Sequence, residues 1–343
     1  MGGRLIMIHA VLAQTMVYWG HLYYLPDGII RLINSIIAKF LWGGAQLPTK
    51  IHLCKLQKLC RPKDHDGWGI LDTRNFNIAL LIKSFWRALD SEGIWNKVIY
   101  CKYIVGDLLH QILNYQITFP RCISVIWGSF KKVYRHMAVR VAWHFADGSR
   151  IPLAHMKMIG WDSELGPSPQ LIHRLAHRGV IYLSQSIHQW SLGAPIFKTA
   201  TQLGLRDPEY EEWDFLRDKL RALGLCWEEG GDMIAWDGPT KDGIPVVRDI
   251  YRHINKASYM EQPSSSFYKF WHRHIPTKII LFGWLVWKDK VLTGCNLLKR
   301  GFYGPFRCHI CLKESESTEH LFFRCPVIIK IWRLFSAHLL SNT

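Results

Sequence analysis

Cys308, Cys311, His320 and Cys325 stand in the order Cys-x2-Cys-x8-His-x4-Cys, and no other feature of this chain restricts its folding as tightly. Zinc takes four nitrogen or sulfur ligands in a tetrahedron, and a structural site fills all four positions. A Cys-x-x-Cys pair lets one tight turn present two sulfurs to one ion. A His and a Cys with four residues between them then close the shell from a following turn or helix start. The intervening segment Leu312 to Glu319 is polar and acidic, an excursion outside the site. Pro326 follows the last Cys, and Pro is favoured at the first helical position. Behind it Ile328, Ile331, Trp332 and Phe335 recur at helical spacing. The four residues read as ligands of one structural Zn2+, against the alternative of a chance grouping in a chain rich in Cys and His.

The chain has 343 residues, enough for a substantial core and for two or three domains. Hydrophobic residues make up 49% and charged residues 20%, which excludes a disordered composition. No apolar run approaches the roughly 20 residues that span a bilayer. Ile279 to Trp287 is too short, and His9 and Gln14 interrupt the N-terminal run Leu5 to Trp19, which has no small-residue cleavage site after it. The expectation is an intracellular protein with no membrane partner, nuclear or cytoplasmic. Nine scattered cysteines, an odd number, fit a reducing compartment better than a disulfide framework.

Net charge is +16 and unevenly spread. Residues 1–105 hold 13 Lys/Arg against 6 Asp/Glu, residues 106–260 hold 18 against 16, and residues 261–343 hold 12 against 5. Two basic ends around a nearly balanced middle fit a polyanion such as nucleic acid or an anionic membrane surface. The alternative is a merely basic soluble protein. Most of the 16 Trp sit at helical spacing and belong to a core, although aromatics among basic side chains can stack on unpaired bases.

Periodicity predicts a mainly α protein with small β elements. Helices are expected over Asp27 to Trp42, Asn75 to Leu89, Ile99 to Ile104 and Val247 to Ile254. Two more flank Pro276, and a short one around Leu297 and Leu298 is capped by Thr293 and ended by Gly301. Arg61 to Gly69 and Gly160 to Pro169 read as loops, and Gln262 to Ser266 as a linker. Asp147-Gly148 predicts a hairpin turn within Val141 to Ile151, and Met233 to Asp249 a second short hairpin.

No Gly-x-Ser-x-Gly elbow, His-Glu-x-x-His helix or phosphate-cradling Gly loop is present. Asp64 and Asp66 read as solvated turn residues, Cys295 as a buried thiol, and Cys54 and Cys60 as thiols without a metal partner. His272 and His274 point to different faces of their helix. The chain contains no Asp-Asp pair, and no catalytic residue or small-molecule substrate is expected.

Phe270-Trp271, Pro276-x-Lys278-Ile279, Phe282-x-Trp284-Leu285, Leu292-Thr293, Asn296-Leu297-x-Lys299-Arg300-Gly301 and the Cys/His cluster, with His320-Leu321-Phe322 and Trp332, form an ordered series. It resembles the zinc-binding domain at the C-terminal end of plant LINE-type (non-LTR) retrotransposon reverse transcriptases. Gly2-Gly3-Arg4-Leu5, Tyr18-Trp19, Leu25-Pro26 and Phe40-Leu41-Trp42-Gly43-Gly44 resemble the thumb that follows the polymerase palm in those enzymes. Arg61-Pro62-Lys63, Gly67-Trp68-Gly69-Ile70 and Asn75-x2-Ile78-Ala79-Leu80-Leu81 continue the likeness. The match covers roughly residues 2–103 and 236–335. It implies a thumb-like helical region over 1–105, a variable connector over 106–260, and a CCHC zinc module over 261–343.

The family's polymerase uses palm aspartates to hold two metal ions. Those residues have no counterpart here, so the expectation is a fragment lacking the polymerase site, without room for a ribonuclease H domain. The resemblance implies RNA or an RNA/DNA hybrid as partner, with Lys299, Arg300, Arg307 and Arg324 as phosphate contacts, and an intact retroelement polymerase acting in trans. Two other readings stay open: a purely structural zinc clip that binds nothing, and a non-functional fragment with exposed apolar faces near Leu12, Tyr18 and Trp19.

Overall fold

The computed structural model describes residues 1–43, 51–90, 93–103, 124–160, 166–238, 240, 243–258, 268–271 and 274–341. The chain is mainly helical with small β elements. It divides into two compact units, one formed by Met1–Met16, Pro26–Thr73 and Tyr259–Thr343, the other by Val17–Leu25 and Arg74–Ser258.

The first unit is built on a core shared by residues far apart in sequence. Leu5, Ile8, Ile37, Leu41, Trp42, Leu59, Trp68 and Ile70 pack with Ile280, Leu281, Trp284 and Leu285. The helix Asp27–Gly43 presents Ile30, Ile37, Ala38, Leu41 and Trp42 to the interior, as its apolar stripe requires. Pro276 precedes the helix Thr277–Trp287, which buries Ile280, Leu281, Trp284 and Leu285. Trp68 stands between two other indoles, 5.8 Å from Trp42 and 5.4 Å from Trp284. The Trp284 indole N–H donates to the Asp66 carbonyl at 3.0 Å. Asp66 also pairs with Lys288, so it is tied into the unit rather than left to solvent as its turn setting led one to expect.

The loop before Trp68 folds back on itself. Gly67 N–H donates to the Pro62 carbonyl, and Trp68 N–H to that of Leu59. A Cβ on Gly67 would lie 1.8 Å from the Arg61 carbonyl oxygen, so only glycine fits.

Among the described residues, the second unit has two apolar clusters. In one, the helices Thr73–Asp90, Val125–Ala138 and Val247–Ser258 contribute Leu81, Ile82, Phe85, Trp86, Trp127, Phe130, Val133, Met137 and Ile250. Phe85 stacks on Phe130 at 4.8 Å and meets Trp127 edge-on at 5.7 Å. The other gathers Trp143, Phe145, Leu171, Leu175, Leu183, Phe197, Trp213, Leu216 and Leu220. Trp213, Leu216 and Leu220 come from the helix Glu209–Ala222, whose acidic first turn suits the positive end of its dipole.

Both hairpins expected near residues 141–151 and 233–249 are corrected by the structure. Strand β1 (Val141–His144) does not turn back at Asp147-Gly148; it pairs antiparallel with β4 (Met233–Trp236), in the register Val141↔Trp236 to His144↔Met233. The cause is Asp232, a fully buried carboxylate beside β4. It accepts backbone N–H groups from Ala146, Asp147 and Gly148 on Oδ1 and from Arg150 on Oδ2. The turn therefore closes around a distant acid instead of opening a local ladder. The remaining sheet joins β2 (Ile187–Ser191) to β3 (Ala194–Phe197). Its turn residues Leu192 and Gly193 have φ of 50° and 83°. A leucine in that conformation hides the hairpin from a search for Asn-Gly or Asp-Gly.

Helix Ile94–Tyr103 agrees with the expected segment near 99–104, and the linker at 262–266 lies outside the described residues. Thr293 does precede the helix Gly294–Leu298, but its hydroxyl does not cap it.

Candidate metal centre

Four local devices bring the Cys/His residues together. Cys308 to Cys311 forms a turn in which Leu312 N–H donates to the Cys308 carbonyl at 2.8 Å, with Leu312 itself at φ 55°. Beyond it the chain doubles back, pairing Arg307 with Ser315, while Cys308 N–H donates to the Glu314 carbonyl. His320–Arg324 is a π-helical turn closed by Cys325 N–H to the His320 carbonyl at 2.8 Å. At about 100° per residue an α-helix would turn residue i+5 about 140° away from residue i. The wider turn lets His320 and Cys325 serve one point, a use consistent with π-turns at functional sites. The helix Pro326–Ser341 then starts at Pro326, as expected.

One ligand atom from each of Cys308, Cys311, His320 and Cys325 lies within 4.8 Å of the others. Zinc bond lengths of about 2.3 Å to sulfur and 2.0–2.1 Å to nitrogen imply tetrahedral edges of about 3.6–3.8 Å. The Cys311 Sγ to His320 Nε2 distance is 3.3 Å, close to such an edge. Cys308 and Cys325 are fully buried and His320 is 3% exposed. Three thiols and an imidazole facing one point, mostly out of water, are a fitting shell for one structural zinc.

The surroundings favour the same use. His320 Nδ1 lies 2.8 Å from Glu314 Oε2, a short contact though misaligned for a hydrogen bond, and this leaves Nε2 facing the sulfurs. A carboxylate behind a ligating imidazole orients the ring and raises its basicity. Even before a cation's charge is counted, the Cys311 thiol is lowered to about 6, first by the Lys313 backbone N–H and further by Glu314 N–H and His320. Burial pushes the Cys308 thiol up. Cation binding would draw both to thiolate.

Asp289, which the sequence did not single out, braces the segment. Its Oδ1 accepts from Thr318 Oγ1 at 2.6 Å and Asn296 Nδ2 at 2.7 Å, and its Oδ2 pairs with Lys299 Nζ at 3.1 Å. Burial pushes this carboxyl up, but those hydrogen bonds outweigh it and hold it below its ordinary value. No periodicity marks residues 289, 296, 299 and 318 as a group.

The expected phosphate contacts occupy different settings. Lys299 is held by Asp289 and by Asn296 Oδ1. Arg300 donates through both terminal nitrogens to the carbonyls of His52 and Leu53, each at 3.0 Å. Arg324 pairs with Glu319 at 2.7 Å. Arg307 is exposed beside the first ligand. Cys295 is half-buried outside the cluster, Cys54 and Cys60 are buried free thiols, and burial pushes Cys60 up to about 12. His272 lies outside the described residues.

Against the cluster runs an open apolar groove of about 340 Å³, lined by Ile310, Leu321, Phe322, Ile331, Trp332 and Phe335 among others. Phe282 packs edge-on against Phe322 at 5.7 Å. Among the described residues no helix is long and apolar enough to cross a membrane.

Comparison with known proteins agrees with this geometry. Residues 246–332 match a family described as zinc-binding in reverse transcriptase. The chain is also 26% identical over 355 aligned positions to an Arabidopsis thaliana protein that carries the name of a ribonuclease H protein. That alignment covers 96% of this chain and 51% of the relative, so the chain spans about half the relative's length. The likeness is to retrotransposon-type proteins, and the chain carries a reverse-transcriptase-related zinc module with a one-zinc site.

Proposed function

We propose that this chain is the part of a LINE-type reverse transcriptase that follows the catalytic palm, and that its zinc module binds nucleic acid, either template RNA or an RNA/DNA hybrid. Within that reading, residues 1–105 act as the thumb, 106–260 as a connector and 261–343 as the module. On this reading an intact retroelement polymerase works with it in trans and supplies the chemistry at palm aspartates that hold two metal ions. The observation that carries the reading is the closed three-thiol, one-imidazole site inside the segment that matches the reverse-transcriptase zinc family. Zinc when bound would hold the Cys308 turn and the Cys325 helix start together. Arg307, Lys299, Arg300 and Arg324 would stand around that rigid point as phosphate contacts. Lys313, exposed on the loop between the ligand pairs, joins them.

A purely structural clip is favoured by one specific observation: Lys299, Arg300 and Arg324 already have partners inside the chain. The test is binding of a single-stranded RNA and of an RNA/DNA hybrid by the full chain, with zinc measured on the same sample. The full chain is needed because Trp284 and Arg300 depend on Trp68, His52 and Leu53 for their packing. One zinc per chain with salt-steep binding supports the nucleic-acid module. One zinc without binding leaves the structural clip.

A further inference from the structure

We propose that a second phosphate-binding site lies in the other unit, around Arg140, Lys157 and His253, and that it holds the sugar–phosphate backbone of a bound nucleic acid. This rests on the nucleic-acid reading above and extends it to the connector, whose overall charge is nearly balanced.

The balance is an average over unlike elements. Five of the connector's 16 acidic residues lie on the helix Glu209–Ala222, beside three Lys/Arg. The helix Val125–Ala138 carries Lys131, Lys132, Arg135 and His136 with no Asp or Glu. These four are exposed, while Phe130, Val133, Tyr134, Met137 and Ala138 on the opposite face of the helix are buried. Their i, i+4 spacing makes one cationic stripe. On the helix Val247–Ser258, which shares the same core, Arg252, His253 and Lys256 follow the buried Ile250.

The two helices meet at Arg140. Its guanidinium lies 3.3 Å (Nε) and 2.9 Å (Nη2) from the two ring nitrogens of His253, and Nη1 donates to the Asp237 carbonyl at 3.1 Å. Lys157 donates to the Val139 carbonyl next door. Among the described residues, the carboxylate facing this group is Asp237, 3.8 Å from Arg140. Asp249 on the second helix faces Arg248 and Arg252 instead.

Cations at helix C-termini complement the helix dipole. That makes Arg135 and Lys256 tolerable, but it does not explain why Arg140, Lys157 and His253 converge beside one carboxylate. The convergence costs self-repulsion. His253 is lowered first by burial and then by Arg140, His136 and Lys256; Lys157 is lowered by burial, with Asp237 raising it and Arg140 lowering it further. His136, exposed but partly desolvated against the chain, is lowered by that desolvation. A phosphate placed among them would relieve that repulsion, and the stripe leading away along the first helix suits an extended polyanion rather than a single ion.

The experiment measures binding of a single-stranded RNA and the matching RNA/DNA hybrid to the full zinc-loaded chain by fluorescence anisotropy across a salt series. Arg140→Gln is the direct variant. Because Arg140 also holds Asp237, the exposed pair Arg135→Gln/Lys256→Gln serves as the variant that leaves the core untouched. Removing two phosphate contacts should lower the salt slope for a single strand by about 1.4, at about 0.7 per contact, with several-fold weaker binding and unchanged zinc content. Slopes and affinities unchanged in both variants overturn the site. If they hold there but fall in Arg307→Gln/Lys313→Gln, the zinc-module reading stands and this one does not. A chain that binds neither RNA nor hybrid overturns both.

Discussion

His320 has the Glu314 carboxylate 2.8 Å behind its Nδ1, while its Nε2 faces the thiols. Removing such a partner lowers metal affinity about 10–100-fold. Glu314 is itself mostly exposed, so Glu314→Gln should fall at the low end, about tenfold, in competition with a chromogenic chelator. Unchanged affinity would mean that the contact contributes nothing to the site. Cys325→Ser acts more severely, since a neutral hydroxyl replaces a thiolate in a four-ligand shell. Zinc should drop from one per chain to near zero by elemental analysis, and the segment from about residue 300 should lose its fold with it. The ligands were legible from spacing alone because all four lie within 18 residues. Asp289 and the partners of Arg300 were not, because hydrogen bonds across up to 248 positions leave no local pattern.

At the scale of elements, the helix before the zinc cluster is secured by a tryptophan rather than by the metal. Trp284 is fully buried, meets Trp68 edge-on, and satisfies its indole N–H on the Asp66 carbonyl. Trp284→Ala should cost about 3–5 kcal/mol in the first unit, read from urea unfolding, because a large cavity opens and a backbone acceptor is left unpaired. Gly67→Ala in the facing loop should also be strongly destabilising. Its Cβ would meet a backbone oxygen, so the loop would have to open. A variant that melts like the parent would show that the loop relaxes freely. Helices such as Asp27–Gly43 and Thr73–Asp90 were legible through their apolar periods, and two others through Pro276 and Pro326 at their starts, whereas Val125–Ala138 and Glu209–Ala222 were not. Strand pairing was not, since β1 and β4 lie about ninety positions apart and a buried aspartate sets the turn.

At the scale of the whole molecule, four histidines among the described residues share one sign. Burial is the largest cause that lowers His9, His21, His136 and His253 below the ordinary 6.5. The unfolded chain therefore binds more protons than the folded one as pH falls through 6.5. Stability should be level above that value with respect to these groups and should decline below it. Thermal melting between about pH 5 and 8 tests this. His253→Gln should give a flatter curve than the parent, while a parent curve that rises toward acid would contradict the sign.

Sequence by itself determined the zinc ligands, the mainly helical class and the helix starts at Pro276 and Pro326, because each rests on residues within a few turns of one another. Two basic ends were legible as well, since charge can be counted without coordinates. Tertiary structure alone decided which charges have partners. It gave Lys299 and Arg300 to groups inside the chain, wrapped Asp147-Gly148 around Asp232, and drew Arg140 onto His253 in a segment whose net charge is nearly zero. Hydrogen bonds and charge pairs act through space, and the chain distance between their partners carries no trace in composition or period.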